Sequence, residues 1–382
     1  MAGEYTNAIT GIIFAALLNS SSLTSTHVLN INSSCLPAKI RHRFLVPVIK
    51  NISYYSEVRT AAPLSSKLPP KNSLAMSTED LSKLQAGNLF SVSGLNVVIT
   101  GGGSGLGSFM ARALAVNRAA KVFIIGRREE ALNRTKSSLP EKYSKNIVTI
   151  TADVTSKSSL ASALDNVKNN GVNELDVLIC NSGISGPKVD TNNISTIDEL
   201  SQNMLAPAEQ DVTSTYHVNL TGIHLTVATF LPLLDAANKA RSAPSADKPF
   251  KPRPQIITTS SIGGVNRRPM GNISYGPSKA GVIHMTKQLA TVLVPYDIRA
   301  NTIAPGLYLS EMTQDSMQAQ GKAETHNIEG TWGKDIIPAT RSGDEEDMAG
   351  VVLWLCSRAG GYTNGCVVVT DGGRMGVVPG SY

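Results

Sequence analysis

Cysteine is scarce in this chain, and its few cysteines show no pattern that would join them. The 382 residues include four cysteines, at Cys35, Cys180, Cys356 and Cys366. This number is too small for a disulfide-rich scaffold. No CxxC pair and no cluster with histidine is present, which argues against a zinc site. We therefore expect free thiols, as in a reducing compartment, and no metal centre.

Charged residues and long apolar runs are also scarce. Charged residues make up 17% of the chain and hydrophobic residues 41%, whereas globular proteins usually carry about 25% charged residues. This balance argues against a disordered chain, which needs high charge and few apolar residues. The longest apolar run near the N-terminus, residues 8–18, spans about half of the roughly 20 residues that cross a membrane. We predict no membrane span.

The net charge of +6 belongs almost entirely to residues 1–75. Seven Lys and Arg there face two acidic residues, whereas residues 76–382 hold 28 basic and 27 acidic residues. The second part lacks the basic stripe of a nucleic-acid-binding surface, so we predict no nucleic acid partner. Residues 1–75 are Ser-rich and poor in acids, as in a transit peptide. The alternative is an unstructured extension upstream of a functional start at Met76. The predicted location is cytoplasmic, or mitochondrial if this leader is a transit peptide.

Apolar strand patterns alternate with helical patterns along the rest of the chain. The strand patterns cover residues 96–100, 120–125, 146–151, 175–180, 255–260, 299–303 and 366–370, and helical patterns lie at 108–115, 156–169, 212–234 and 274–293. Such alternation predicts a single α/β domain of the Rossmann type, doubly wound, with a mainly parallel sheet flanked by helices. We assign this domain to residues 88–382. A capping-box spacing at residues 77–80 predicts a short lead-in helix over residues 78–86, within 76–87.

A glycine-rich loop lies between the first strand pattern and the first helical pattern. Its spacing is Thr-Gly-x-x-x-Gly-x-Gly, and the Lys-Ser/Thr of a Walker A loop does not follow it. Strand, glycine loop and helix together place phosphate groups at a helix N-terminus, although a purely structural turn is the alternative. The candidate phosphate-binding residues are Thr100, Gly101, Ser104, Gly105, Leu106 and Gly107.

Two arginines, Arg127 and Arg128, follow the second strand pattern. An acidic residue in this region would bind the 2′-hydroxyl of an adenine ribose, whereas a guanidinium suits a 2′-phosphate. This favours NADP(H) over NAD(H) as the cofactor. The alternative is that both arginines merely precede the helix that begins with Glu129 and Glu130.

Tyr275 and Lys279 are four residues apart at the start of a helical pattern, so they share one helix face. Ser260 and Ser261 end the strand pattern 14 residues upstream of Tyr275. Ligands of open parallel sheets bind at the carboxyl ends of strands. We therefore expect a serine hydroxyl, a phenol and an ammonium to converge near the bound cofactor.

With these motifs in order, the sequence resembles the short-chain dehydrogenase/reductase family, over about residues 88–376. The matching elements are the loop at 100–107, Asp153, the turn at 181–183, Asn219, Ser261, Tyr275, Lys279, Pro305-Gly306 and residues 371–373. Motifs at 275–279, 303–306 and 310–313 are most similar to the 3-oxoacyl-carrier-protein reductase branch, notably its rhamnolipid-type members. The resemblance implies an NADP(H)-dependent oxidoreductase that transfers hydride between nicotinamide and a ketone or secondary alcohol.

The resemblance also implies roles for single residues. Tyr275 would be the general acid/base, Ser261 would orient the substrate oxygen, and Asn219 would hold a water that links Lys279 to solvent. Lys279, together with oxidised nicotinamide, would lower the pKa of the phenol, which is about 10 unperturbed, and would hold the nicotinamide ribose. Further cofactor contacts are implied at Asp153, Val154, Asn181, Gly183, Pro305, Gly306 and Ser310, besides Tyr275 and Lys279.

Three positions depart from the family pattern. Ser182 replaces the usual Ala in the turn after the fourth strand pattern, and Ser310 replaces the usual Thr whose hydroxyl meets the nicotinamide carboxamide. Ser104 stands where a basic residue often precedes the second glycine of the loop. The preference for NADP(H) therefore depends on Arg127 and Arg128.

Substrate choice is expected from residues 307–338, which we call the lid segment because a long segment after a strand end can cover a site. Met312, Met317 and Trp332 would either face an apolar substrate or pack within this segment. The resemblance implies a homodimer or homotetramer. Two alternatives stay open: a non-catalytic dinucleotide-binding scaffold, and a reductase of an unrelated small ketone, quinone, steroid or sugar.

Overall fold

The structure is a computed structural model that describes residues 81–191, 194–241, 252–269 and 272–381. The chain divides into two units, Met1–Ala75 and Met76–Tyr382. The predicted leader at residues 1–75 and the predicted capping box at residues 77–80 lie outside the described residues. The lead-in helix prediction lies partly outside them as well, and a short helix, α1, covers Ala86–Leu89.

Seven parallel strands form one sheet in the described part of the chain. In chain order they are β1 (Asn96–Thr100), β2 (Lys121–Gly126), β3 (Ile147–Thr151), β4 (Val177–Cys180), β5 (Gln255–Thr259), β6 (Arg299–Pro305) and β7 (Val367–Thr370). Their order across the sheet is β3-β2-β1-β4-β5-β6-β7, and every neighbouring pair is parallel. The predicted Rossmann-type fold is confirmed.

Helices connect the strands. After α1 they are α2 (Gly105–Val116), α3 (Glu129–Ser137), α4 (Glu141–Ser144), α5 (Lys157–Asn169), α6 (Ile197–Leu205), α7 (Glu209–Tyr216), α8 (Gly222–Ala240), α9 (Tyr275–Val292), α10 (Glu311–Ala319) and α11 (Glu345–Cys356). A five-residue π-helical segment, His217–Thr221, joins α7 to α8. The predicted helix at 212–234 is therefore part of a longer helical stretch, and α2 begins three residues earlier than predicted.

The core is split into two layers by the sheet. Val98 and Phe123 pack on one face with apolar residues of α5, α8 and α9. Val97 and Ile99 pack on the other face with apolar residues of α2 and α11. Alternate residues of a strand point to opposite faces, so strands that are buried on both sides read as continuous apolar runs. This is why the strand patterns were recognisable in the sequence.

The continuous helical stretch Glu209–Ala240 is long and apolar enough, by length and composition, to cross a membrane. Its most apolar window is 44% buried inside the protein. Phe230 and Leu234 of α8 are fully buried against the sheet. These contacts are those of a core helix.

The strand order reverses between β1 and β4, which are direct neighbours with Thr100 opposite Cys180. The chain leaves β1 towards β2 on one side and leaves β4 towards β5 on the other. The two loops therefore diverge at the carboxyl edge of the sheet, and a crevice opens between them. The residues after β1, β4, β5 and β6 surround this crevice.

Candidate active site

A cleft of about 530 Å³ occupies the crevice at the carboxyl ends of the central strands. It gathers most of the residues that the sequence analysis singled out. Those that line it are Gly101, Ser104, Gly105, Leu106, Arg127, Arg128, Asp153, Val154, Asn181, Gly183, Ser261, Tyr275, Lys279, Pro305, Gly306 and Ser310. Thr100, Gly107 and Asn219 are not among its lining residues, and their contacts show what they do instead.

The glycine loop has the backbone shape that a close-lying phosphate group requires. Gly101 and Gly105 have φ angles of +68° and +51°, in the left-handed region that favours glycine. A Cβ on Gly107 would collide with the carbonyl oxygen of Gly101. The first turn of α2 therefore lies directly against the loop. Its backbone N–H groups and its dipole provide a site for the pyrophosphate of a dinucleotide.

Thr100 and Asn181 hold the two diverging loops together. The Thr100 hydroxyl accepts hydrogen bonds from the backbone N–H groups of Asn181 and Ser182, at 3.1 and 3.2 Å. The Asn181 side chain donates to the carbonyl of Gly101 at 3.2 Å. Both side chains therefore support the loop geometry, and Asn181 also lines the cleft.

Arg127 and Arg128 lie at the end of the cleft that follows β2. The Arg128 guanidinium binds the carboxylate of Glu311, with distances of 2.5 Å from Nη2 to Oε2 and 3.3 Å from Nη1 to Oε1. This hydrogen-bonded carboxylate raises the pKa of Arg128. Arg127 and Asp153 line the same region, where the Asp153 carboxylate accepts hydrogen bonds from the backbone and hydroxyl of Thr155.

Ser261 and Tyr275 meet at the other end of the cleft. Ser261 follows β5, and its hydroxyl accepts a hydrogen bond from the backbone of Gly263 at 3.0 Å. Burial raises the pKa of the Tyr275 phenol above its usual value, and a hydrogen bond with the Ser261 side chain opposes this rise. The predicted pair of hydroxyl groups is therefore formed, and the protein's own groups keep the phenol protonated at neutral pH.

Lys279 lies one turn of α9 beyond Tyr275 and is only 3% exposed. Its Nζ donates a hydrogen bond to the carbonyl of Thr259 at 2.9 Å and lies 5.7 Å from the centre of the Tyr275 ring. Burial lowers the pKa of Lys279 to about 8. The ammonium is therefore still charged at neutral pH, close to the phenol.

Asn219 lies in the π-helical segment and is fully buried. Its Oδ1 accepts a hydrogen bond from the backbone N–H of Ile184 at 2.9 Å, and its Nδ2 donates to the Ile184 carbonyl at 3.0 Å and to the Ser278 hydroxyl at 2.9 Å. The side chain therefore joins the loop after β4 to α9. The water that the resemblance assigns to Asn219 stays a prediction.

The lid segment divides into residues that face the cleft and residues that pack among themselves. Met312 lines the cleft and is 48% exposed. Met317 and Trp332 are buried with Ile337 in a small apolar core of the segment, so for these two the packing alternative holds. Ser310 caps α10 together with Thr313, and a Cβ on Gly105 would lie 3.0 Å from the Ser310 Cβ.

Glu311 is a site residue that the sequence analysis missed. It lines the cleft next to Ser310 and binds Arg128, which is 183 residues away in the sequence. The one available signal was an acidic residue in the first turn of a helix, which is ordinary there. The described residues contain no group of three or more His, Cys, Asp or Glu side chains that could hold a metal ion.

The sequence also matches a known protein family. The family model described as short chain dehydrogenase matches residues 95–321. The chain is 39% identical over 309 residues to the short-chain dehydrogenase/reductase PhomF of Diaporthe leptostromiformis. This match covers 80% of this chain and 100% of that protein. It is 30% identical over 288 residues to the rhamnolipids biosynthesis 3-oxoacyl-[acyl-carrier-protein] reductase of Pseudomonas aeruginosa. This second match covers 74% of this chain and 97% of that protein.

A solved structure shows the same fold. The Pseudomonas aeruginosa RhlG/NADP active-site complex aligns with a TM-score of 0.60 at 27% sequence identity, and the match covers 75% of this chain and 98% of that chain.

Proposed function

The chain belongs to the short-chain dehydrogenase/reductase family of oxidoreductases, and from this premise we propose that it is an NADP(H)-dependent carbonyl reductase with Tyr275 as its general acid/base. The observation that carries the proposal is the group formed by Ser261, Tyr275 and Lys279 at one end of the cleft. Two hydroxyl groups are hydrogen-bonded there, and a buried ammonium lies 5.7 Å from the phenol ring.

The residues along the cleft support a phosphorylated dinucleotide as the proposed cofactor. Gly101, Gly105 and the first turn of α2 would hold the pyrophosphate, because their backbone approaches the cleft closely there. Arg127 and Arg128 lie where the adenosine end would reach, and a guanidinium can bind a 2′-phosphate through two parallel hydrogen bonds. Asp153, Val154 and Gly183 would line the adenosine. This arrangement supports NADP(H) rather than NAD(H).

When bound, the nicotinamide would supply or accept the hydride, and its oxidised form would add a positive charge close to the phenol. In the direction of reduction, the Ser261 hydroxyl donates a hydrogen bond to the substrate carbonyl oxygen, and the Tyr275 hydroxyl delivers the proton to that oxygen. The raised pKa of Tyr275 favours the protonated acid that this step needs. In the direction of oxidation, the same phenol must first lose its proton.

Lys279 has two roles in this proposal, one in the proton transfer and one in holding the cofactor. Its charge lies beside the Tyr275 ring and stabilises the phenolate that forms when the proton leaves. An ammonium has three N–H donors, of which one binds the Thr259 carbonyl. The ammonium can direct its remaining donors into the cleft, towards the hydroxyls of the nicotinamide ribose.

The substrate class is proposed to be a 3-oxoacyl thioester. This proposal is supported by the relative from Pseudomonas aeruginosa, whose name describes a 3-oxoacyl-[acyl-carrier-protein] reductase. Met312 offers an apolar side chain at the lid side of the cleft, where an acyl chain could lie. The alternative substrates for the same catalytic residues are small ketones, quinones, steroids and sugars.

NADPH consumption tests the proposal directly. The purified enzyme is mixed with NADPH and with acetoacetyl thioesters, beside a panel of unrelated ketones. The proposal predicts turnover of the thioesters. Fast turnover of another ketone without thioester turnover would exclude the acyl substrate. Absence of turnover with the whole panel, while NADPH still binds to the Tyr275→Phe variant, would favour a non-catalytic scaffold.

The proposed assembly is a homodimer or homotetramer, as the resemblance implies. Gel filtration of the full chain should show a particle that contains two or four copies of the chain. Elution as a single chain of 40.4 kDa would contradict this part of the proposal.

A further inference from the structure

Glu311, the first residue of α10 in the lid segment, binds the arginine that is proposed to hold the 2′-phosphate. Both of its carboxylate oxygens are used: Oε2 lies 2.5 Å from Arg128 Nη2, and Oε1 lies 3.3 Å from Arg128 Nη1. The carboxylate therefore occupies one edge of the guanidinium, the Nη1 and Nη2 pair, and this pair could also bind a phosphate in a bidentate manner.

Two further side chains lie close to the Glu311 carboxylate. The Ser104 side chain hydrogen-bonds the same carboxylate, and this bond, after the bond from Arg128, lowers the pKa of Glu311. Arg134 lies 3.9 Å from Oε1. The carboxylate is ionised at neutral pH, in a region of positive potential that two arginines create.

The pair is formed at the surface of the cleft, where exchange of anions is possible. The side chains of Arg128 and Glu311 are 61% and 46% exposed. Exposed ion pairs contribute little net stability because water competes for both partners. A dianionic phosphate can therefore displace the carboxylate. The lid segment lies against the phosphate loop at this point, because a Cβ on Gly105 would lie only 3.0 Å from the Cβ of Ser310.

We propose that Glu311 is a specificity-determining residue, whose carboxylate competes with the 2′-phosphate of NADP(H) for Arg128 and thereby reduces the preference for NADP(H) over NAD(H). The inference rests on the proposed function. A 2′-phosphate that binds Nη1 and Nη2 of Arg128 has to displace Glu311, and one that binds elsewhere on the guanidinium is still repelled by the carboxylate. A 2′-hydroxyl leaves the pair intact.

The test is a comparison of binding constants, measured by titration of NADPH and NADH into the full chain. Glu311→Gln removes the charge and keeps the size of the side chain. Asp315→Asn removes one exposed charge from the same helix one turn later and serves as the matched control. Arg128→Ala removes the group for which the two anions compete.

The expected result is that Glu311→Gln tightens NADPH binding about three- to fivefold and leaves NADH binding nearly unchanged. Asp315→Asn should leave the ratio of the two constants close to that of the wild type. In the Arg128→Ala background, Glu311→Gln should change the ratio clearly less, because only repulsion between the two anions is left. The gain should also shrink in high salt, since exposed charges are screened there.

The inference is overturned if Glu311→Gln weakens NADPH binding, which would mean that the carboxylate holds Arg128 in place for the phosphate. It is also overturned if Glu311→Gln and Asp315→Asn change the ratio equally, which would reduce the effect to general charge. These outcomes can be told apart from a failure of the NADP(H) proposal. A wild type that prefers NADH contradicts the NADP(H) proposal, yet a shift towards NADPH in Glu311→Gln would still support the competition.

Discussion

Lys279 donates a hydrogen bond to the backbone carbonyl of Thr259, the last residue of β5. This bond fixes a buried ammonium of α9 at the carboxyl edge of the sheet, immediately before the two serines that end the strand pattern. The same helix presents Tyr275 one turn earlier, so the sheet and the helix together set the distance between phenol and ammonium. Tyr275 and Lys279 are thus held by a helix that packs on the sheet through Val282 and Ala290.

A buried charge makes the stability of the fold depend on pH. The pKa of Lys279 is lowered by burial from 10.5 to about 8. Between these values the unfolded chain binds a proton that the folded chain does not, so raising the pH through this window stabilises the folded state. Relative to Lys279→Met, the wild type should gain about 3 kcal/mol of unfolding free energy between pH 7 and pH 10.5. Urea unfolding at several pH values measures this difference.

Lys287→Met is the matched control for that experiment, because Lys287 is an exposed residue of the same helix. Its difference from the wild type should stay constant across the window. A constant difference for Lys279→Met as well would show that the ammonium is not buried in the folded protein.

Asn219 is expected to be a positioning residue whose loss destabilises the fold. Asn219→Ala removes the hydrogen bonds to Ile184 and Ser278 and leaves half-buried backbone groups of Ile184 without these partners. The unfolding free energy should fall by about 2–3 kcal/mol. Asn238→Ala, on α8, removes an exposed bond to the Tyr296 carbonyl and a long bond of 3.4 Å from Arg241 and should cost under about 1 kcal/mol. Similar losses for both variants in urea unfolding would contradict the structural role.

Two glycine-to-alanine variants should have opposite effects. Gly107→Ala places a Cβ against the Gly101 carbonyl, so it should destabilise the domain by about 1–3 kcal/mol and weaken NADPH binding. Gly350→Ala, on the exposed side of α11, meets no atom within 4 Å and should stabilise the domain by up to about 1 kcal/mol. Thermal unfolding measures both. Equal tolerance of the two substitutions would mean that α2 does not lie against the loop.

The strands along the chain and the phosphate loop could be predicted because they depend on local patterns. Strands such as β1 and β2 are buried on both faces, and their apolar runs stand out from the helical periods between them. The start of α2 was placed too late because Gly105 and Gly107 resemble a loop, although the loop has already turned into the helix at Gly105.

The contacts that complete the site could not be predicted from the sequence. Arg128 and Glu311 meet only because the loop after β2 and the lid segment converge at one edge of the sheet. Asn219 was found by resemblance. Its bonds to Ile184 and Ser278 depend on a π-helical segment, which the sequence pattern did not predict. Pairings between distant residues of this kind are set by tertiary structure and not by local propensity.

The most direct test of the account is the turnover of NADPH by Tyr275→Phe, measured together with NADPH binding. Phenylalanine keeps the ring in place beside Lys279 and removes the hydroxyl that is proposed to deliver the proton. Turnover should fall by about 10²–10⁴-fold while NADPH binds with nearly the wild-type constant. Tyr143→Phe, on α4 outside the cleft, should leave both quantities unchanged. Wild-type turnover in Tyr275→Phe would contradict the account.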